Sequence, residues 1–561
     1  MSGTSSYDLK SVKLPRLAGG QLSMVANALE SGMLRALIMP SMLKSGGIED
    51  FRALSPEEPP TVFPIAFADK RAAPEEGPDL KALNRIEGSA ATTPFRTARD
   101  YAKAYREGKA TPEDVAKKAL EAIKNADAGN LKLRPFIAVN DGDVMQQARD
   151  SAERWKDKKP LSVLDGVPMA VKDEVDMVPY PTTVGTKFFG KAPAKQDATV
   201  VARLRAAGAL LLGKANMHEI GINPDGLNVN FGSTRNPYNP KYDTGGSSSG
   251  SATAVSSGIC PIAVGADGGG SIRVPASHCG VVGLKPTFGR VSEYGAAPLC
   301  WSVAHLGPIA ATVEDAAIGY ACMAGPDARE PNSLHQPAVT LEQWNRADLK
   351  GVRLGVFRPW FEHASLEVVR ACDILLEKLA SSGAQVKQII IPGLDTMRVA
   401  HAISILSEMA ASMNNYPEHK KDFGAEVRVS LSLGRVFDAG DYIKAQRIRT
   451  RAISAFREIL SDVDAIITPA AGITAPEVSL EGAKGGWSDL SSTTEVMRYA
   501  FPGNLAGLPA ISFPAGYDSI GLPIGMQAMG RWWEEDLLLR IAFNAEKLVE
   551  RRKPAMFFDL L

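Results

Sequence analysis

The segment VGADGGGSIRVPASHCGVVGLKP, residues 264–286, sets three consecutive glycines directly before Ser271 and an arginine two positions after it. Glycines beside a serine serve three different ends: a flexible spacer, a phosphate cradle, or a nucleophile ringed by backbone donors. A spacer is low in complexity and free of packing residues, whereas Ile262, Val264, Ile272, Val274, Val281 and Val282 surround these glycines and demand burial. A phosphate loop follows G-x-x-x-x-G-K-[ST], with the lysine on the phosphates and the hydroxyl on a metal. The near match GALLLGKA, residues 208–215, ends in Ala215, which has no oxygen to offer, and its middle is a run of apolar strand formers. The hydrolytic reading fits best. Successive N–H groups of Gly268, Gly269, Gly270 and Ser271 turn inward only in torsions that side chains resist, and such donors would form an oxyanion hole.

A serine nucleophile needs a base. The seven histidines are dispersed, none lies in a G-x-S-x-G context, and His218 and His278 read as packed or hydrogen-bonded residues. A lysine serves if it is held uncharged: the free amine titrates near 10.4, and desolvation can shift a buried one by up to about 3–5 units. In LDGVPMAVKDEV, residues 164–175, Lys172 closes an apolar strand-like run that would bury its stem and deliver its amine to the strand end. Taken alone, a surface lysine opening a loop fits the same letters. The block GGSSSGSATAVSSG, residues 245–258, is a loop of small residues running into a helix, able to set a hydroxyl between amine and nucleophile.

Positioning such groups takes a substantial core, and 561 residues that are 45% apolar can supply one. TPEDVAKKALEAI predicts a helix with Thr111 as N-cap, Pro112 at the first position and Asp114 closing a capping box. Farther along, helix-period and strand-like stretches alternate: ATVVARLRAAG, stopped by Gly208, then ALLLG; GVRLGVF, SLEVVRACDILLEKLASSG and AQVKQIII; DAIIT, PAISFPAG and PIGMQAMG. This alternation predicts an α/β protein with a large mixed, mostly parallel twisted sheet covered by helices on both faces. The strands spread from about residue 136 to 529, which suits one catalytic domain over residues 91–561 behind an extension over residues 1–90 of short helices and a Pro-rich, charged loop.

Lys plus Arg and Asp plus Glu number 63 each, so no basic field points to nucleic acid. Five scattered cysteines without a C-x-x-C pair read as free thiols and suggest no metal. The opening residues lack the pattern of a secretory signal and no apolar run spans a bilayer, so an intracellular protein is expected, cytoplasmic or peripherally membrane-associated. LSMVANALESGMLRALIMPSML, residues 22–43, reads as paired short helices packed on the body or on a partner subunit, with contact to a lipid surface as the other reading.

GGSSSGSATAVSSG, GADGGGSIRVPA, GLKPT and the upstream VKDE together resemble the amidase signature family. The resemblance implies the amidase signature fold and a triad of Ser271 as nucleophile, Ser247 as bridging serine and Lys172 as base. It also implies a cis peptide between Gly246 and Ser247. Asp267 and Arg273 are read as bracing the loop and Ser248 as orienting Ser247, with purely structural roles equally open. Within the family the chain is similar to plant-type fatty acid amide hydrolases, through SVLDG, LLGKANMHE, TRNPYNPK, DVDAIITPAAGITAP, GLPIGMQAMGR and KPAMFFDLL, and through PRLAGG and PEEPP in the extension. That similarity implies a homodimer without cofactor or metal, which cleaves amides of long apolar acyl chains, such as N-acylethanolamines, through an acyl-enzyme. MRVAHAISILSEMAASM, residues 397–413, is expected to line an acyl channel with Met397, Met409 and Met413, against the plainer reading of a core helix. The segment GINPDGLNVNFG, residues 221–232, departs from the family pattern and is expected to alter the pocket, and Ala266 stands where threonine is common. A general aryl or alkyl amidase would share the same catalytic residues and differ only in the pocket; the glutamine-hydrolysing subunit of an amidotransferase, which hands ammonia to partner chains, is a different class, and the long extension and the lack of basic charge argue against it.

Overall fold

Eleven strands hydrogen-bond into one sheet in the computed structural model, which describes residues 7–12, 16–73, 77–88 and 93–561. The boundary expected near residue 90, the proline of PRLAGG and part of the charged loop lie outside those residues. In chain order the strands are β1 (Phe136–Val139), β2 (Pro168–Lys172), β3 (Leu210–Ala215), β4 (Ile262–Ala266), β5 (Val282–Lys285), β6 (Leu306–Ala310), β7 (Arg353–Val356), β8 (Gln385–Gln388), β9 (Ala465–Pro469), β10 (Ala510–Tyr517) and β11 (Pro523–Gly530). Across the sheet they run β1-β3-β2-β4-β6-β5-β10-β11-β9-β7-β8. The central strands are continuous apolar runs, buried along their whole length, because helices flank the sheet.

The sheet is mixed, as expected, but it is not mostly parallel. Four of its ten pairings are parallel and six antiparallel. Two connections account for much of the difference. The five residues 518–522 between β10 and β11 are too few for a crossover, so the pair closes as a hairpin. The link from β5 to β6 carries no helix, and β6 returns between β4 and β5, antiparallel to both. Alternating letters reveal that helices and strands take turns, not which strand a chain rejoins.

Local chemistry sets the helix ends where the sequence indicates. Thr111 caps the helix Pro112–Ala126 in a reciprocal box with Asp114, and after Thr199–Ala206 the chain turns through Gly208 at φ +88°. Six helices matter to the site: α1 (Gly19–Glu30), α2 (Gly32–Ser45), α3 (Ser249–Ser256), α4 (Arg273–His278), α5 (Leu394–Met413) and α6 (Ala425–Gly434). The extension packs on the body: Leu22, Ala26 and Leu29 of α1 bury against Val429 of α6, and Leu17–Ala18 pairs antiparallel with Trp487–Ser488. Met24, Met33, Leu34 and Leu37 on α1 and α2 stay exposed. Among the described residues no helix is long and apolar enough to cross a membrane.

Candidate active site

Strands β2 and β4 are parallel neighbours, so their carboxyl ends, Lys172 and Ala266, lie side by side at the kind of edge where open α/β sheets bind ligands. Helix α3 packs against both strands and consists only of small residues, all buried. The small size is required: a Cβ on Gly250 would stand 2.3 Å from Asn216 N and from Pro135 O. This close seating brings the loop before α3 over the strand ends. The Gly246–Ser247 peptide is cis, as the resemblance implied.

Lys172, 1% exposed, donates from Nζ to Ser247 Oγ at 2.8 Å and to the Ala266 carbonyl at 3.2 Å. Its third neighbour, Glu174 Oε2 at 2.7 Å, was not anticipated from the sequence. Because Ala266 takes part through its backbone oxygen, the absence of a threonine side chain there leaves the contact intact. Ser248 does not bond the Ser247 hydroxyl; its own hydroxyl donates to Ala266 O and accepts from Ala266 N, and its N–H donates to Ser271 O, so it staples the loop to the strand end.

Ser271 precedes α4 and opens into the same pocket as Lys172 and Ser247. No hydrogen bond joins Ser271 Oγ to Ser247 Oγ in this state. The N–H groups of Gly268, Gly269 and Ser271 have no partner among the described residues, and all three residues line the pocket. Gly270, included in the expected oxyanion hole, is different: its N–H donates to Asp267 Oδ1 at 2.6 Å and it does not line the pocket. Its φ of +122° is the turn that lets its neighbours face inward.

Asp267 and Arg273 brace this loop from below, both with 0% exposure. Arg273 meets Asp267 through Nε at 3.0 Å and Nη2 at 3.1 Å, and reaches Gln527 and Asn504 at 2.6 Å each. Burial alone would push the Asp267 carboxyl up, but the Arg273 charge and these hydrogen bonds hold it far below the usual range. Replacing Arg273 with leucine leaves that carboxylate buried without a partner, so we expect a loss of about 3–5 kcal/mol, read as a lower urea midpoint. His401, another residue the sequence did not single out, meets the Gly268 carbonyl through Nε2 at 2.8 Å. Burial holds His401, His218 and His278 down to about 4, so all three imidazoles are neutral.

The expected methionine stripe divides. Met409 lines the catalytic pocket, whereas Met397 packs in a core cluster with Trp360 and Phe456, and Met413 in one with Phe423 and Val427. Along α5, His401, Ile405 and Met409, four apart, face the cavities, and Arg398, Ala402 and Leu406 beside them line the second of these. The altered segment does shape the pocket, through Gly221, Ile222, Asn223 and Pro224. Next to this pocket is a second, largely apolar chamber of about 200 Å³. Ile222, Asn223, Ile405 and Met497 belong to both walls, and the extension supplies Leu9, Val12, Met42 and Ile48 to the chamber.

This fold and site define an amide-cleaving hydrolase: the Amidase family model matches residues 118–539, and the chain belongs to that family, the amidase signature family. It is 38% identical to a fatty acid amide hydrolase of Medicago truncatula, over 99% of this chain and 96% of that protein, and 37% identical to one of Arabidopsis thaliana, over 100% and 97%. Among solved structures it resembles the native peptide amidase of Stenotrophomonas maltophilia, with a TM-score of 0.69 and 27% identity over 82% of this chain and 98% of that one.

Proposed function

We propose that this amidase cleaves fatty acid amides, N-acylethanolamines among them, through a Ser271–Ser247–Lys172 relay. The observation that carries the reading is the 2.8 Å contact from Lys172 to Ser247 in a pocket that Ser271 shares and that adjoins the apolar chamber. In its amine form Lys172 takes the Ser247 proton as Ser247 takes that of Ser271, and Ser271 Oγ attacks the amide carbonyl carbon. The N–H groups of Gly268, Gly269 and Ser271 hold the resulting oxyanion. The proton then returns through Ser247 to the leaving nitrogen, the amine departs, and water attacks the acyl-Ser271 ester by the same relay. The open Ser271–Ser247 link closes when substrate seats, since catalytic hydrogen bonds are commonly long in free enzymes.

A long acyl chain suits the chamber because its walls are apolar and it begins at the catalytic pocket. The names borne by the Medicago and Arabidopsis relatives support the same substrate class. Each methylene moved from water into such a chamber is worth about 0.8 kcal/mol, roughly fourfold in kcat/KM. The test is product analysis on amides of one amine and increasing acyl length, with and without detergent. We expect kcat/KM to rise with length until the chamber is full, and a preference for short or aromatic amides would reject the substrate assignment. Ile405→Trp fills the junction of the two cavities; it should cost long-chain amides about tenfold or more while short acyl amides stay within about threefold. The exposed apolar side chains of α1 and α2 belong to the extension that walls the chamber, and we propose them as the contact with a lipid surface.

A further inference from the structure

The sequence VKDEV carries two acids after Lys172, and the fold sends them in opposite directions. Asp173 takes the N–H groups of Thr183 and Gly185 and faces Lys214 at 3.4 Å. Glu174 turns back onto the lysine, because Val175 N–H bonds Lys172 O and the chain leaves the strand in a tight turn. The turn is clamped from outside: Ala297 N–H donates to Glu174 O, and Val175 bridges Ala296. The Glu174 carboxylate thus reaches Nζ from a fixed backbone, with its side chain only 9% exposed. Ser247, Ala266 and Glu174 together occupy all three donors that an ammonium group has.

We infer that Glu174 is a positioning residue for this base: it aims Nζ at Ser247 Oγ and, through its charge, sets the pH range over which the relay runs. The inference rests on the relay proposed above. Among the described residues Glu174 makes the one ion pair of Lys172. The other titratable groups near the amine are occupied or neutral. On the same turn Asp173 is tied to Lys214; from the glycine loop Asp267 is tied to Arg273; from the wall loop His218 is held neutral by burial. From the loop before β6, burial and then Glu330, Glu174 and Glu408 push Glu293 well up, and burial pushes the Cys300 thiol well up. On α5, Glu408 is bonded to Ser302 and Tyr442.

The sign follows from Coulomb's law. A carboxylate beside Nζ favours the charged amine, which cannot act as a base, so removing it lets the relay run at lower pH. In Glu174→Gln the acid limb of kcat/KM should move down by at least about one pH unit, since an opposite charge within about 4–6 Å displaces a titration by 1–3 units. The plateau should fall about tenfold as Nζ loses its aim. Glu174→Asp, which withdraws the carboxylate by one methylene, should move the limb the same way by less, and it answers the question if Glu174→Gln does not melt cooperatively. The limb is read twice, from hydrolysis of an N-acylethanolamine and from the rate of fluorophosphonate labelling, which needs no substrate choice. A limb that stays in place, or moves up, in the folded variants overturns the inference. Ser271→Ala in the same assays separates the two ideas: if it labels and turns over like the parent the relay is wrong, and if it is dead while the limb stays fixed only the role of Glu174 fails.

Discussion

Ser271→Ala should reduce hydrolysis of an N-acylethanolamine by at least about 10⁴-fold while melting like the parent, because removing the nucleophile of a catalytic relay leaves only what binding and the oxyanion donors supply. Exposure and neighbours favour Ser271 over Ser247 for the proposed role. Ser247 is 1% exposed and already holds the lysine, whereas Ser271 is 8% exposed and lies beside the free N–H groups of Gly268 and Gly269. A fluorophosphonate adduct should accordingly map to the peptide carrying Ser271. Near-parental turnover in the purified variant, or an adduct on Ser247, would sink the assignment.

Lys172→Ala is expected to lose about 10²- to 10⁴-fold, the range a positioned general base contributes. What remains should rise with pH across the alkaline range, since only hydroxide is left to take the serine proton. The substitution also strands Glu174, which is 7% exposed and keeps no cationic partner among the described residues, at a cost to stability. A pH profile from neutral to alkaline, measured beside a melting curve, distinguishes these effects. A variant that folds and keeps a tenth or more of parental kcat/KM would remove Lys172 from the base role.

Asp267 and Arg273 connect the site to the stability of the fold. The same side chains that hold the glycine loop are tied to Asn504 and to Gln527 of β11, far along the chain. The extension is coupled to the site in a different way, through Leu9, Val12, Met42 and Ile48 in the chamber wall. A truncation that removes it would therefore open the chamber and spare the relay residues, all of which lie on the strands and loops behind it.

Much of the site was legible in the letters because its chemistry is local. Three glycines before a serine, a run of small residues entering a helix, and a lysine at the end of an apolar strand each carry their reason within about ten residues. The caps and stops at Thr111 and Gly208 are legible for the same cause. Other features depend on contacts between distant segments. His401 meets Gly268 across 133 positions, and Met497 reaches both cavities from near the other end of the chain. Of the three methionines proposed for the channel only Met409 lines a cavity, the catalytic pocket, and none of them lines the apolar chamber, because helical phase is legible while the direction a helix presents to its neighbours is not. Glu174 lies two residues from Lys172, yet VKDEV cannot say which acid turns back; the clamp to residues 296 and 297 decides that.

The sequence by itself determined the α/β layering, since residue type and short-range period fix backbone torsion, burial and chemical capacity, and its motifs, by their resemblance to the amidase signature family, pointed to the family and the relay candidates. Only the tertiary structure decided the antiparallel share of the sheet, the engagement of Gly270 by Asp267, the pairing of Glu174 with the lysine and the chamber built partly by the extension. Those outcomes are set by which distant surfaces pack together, and packing is a property of the whole chain that no single stretch encodes.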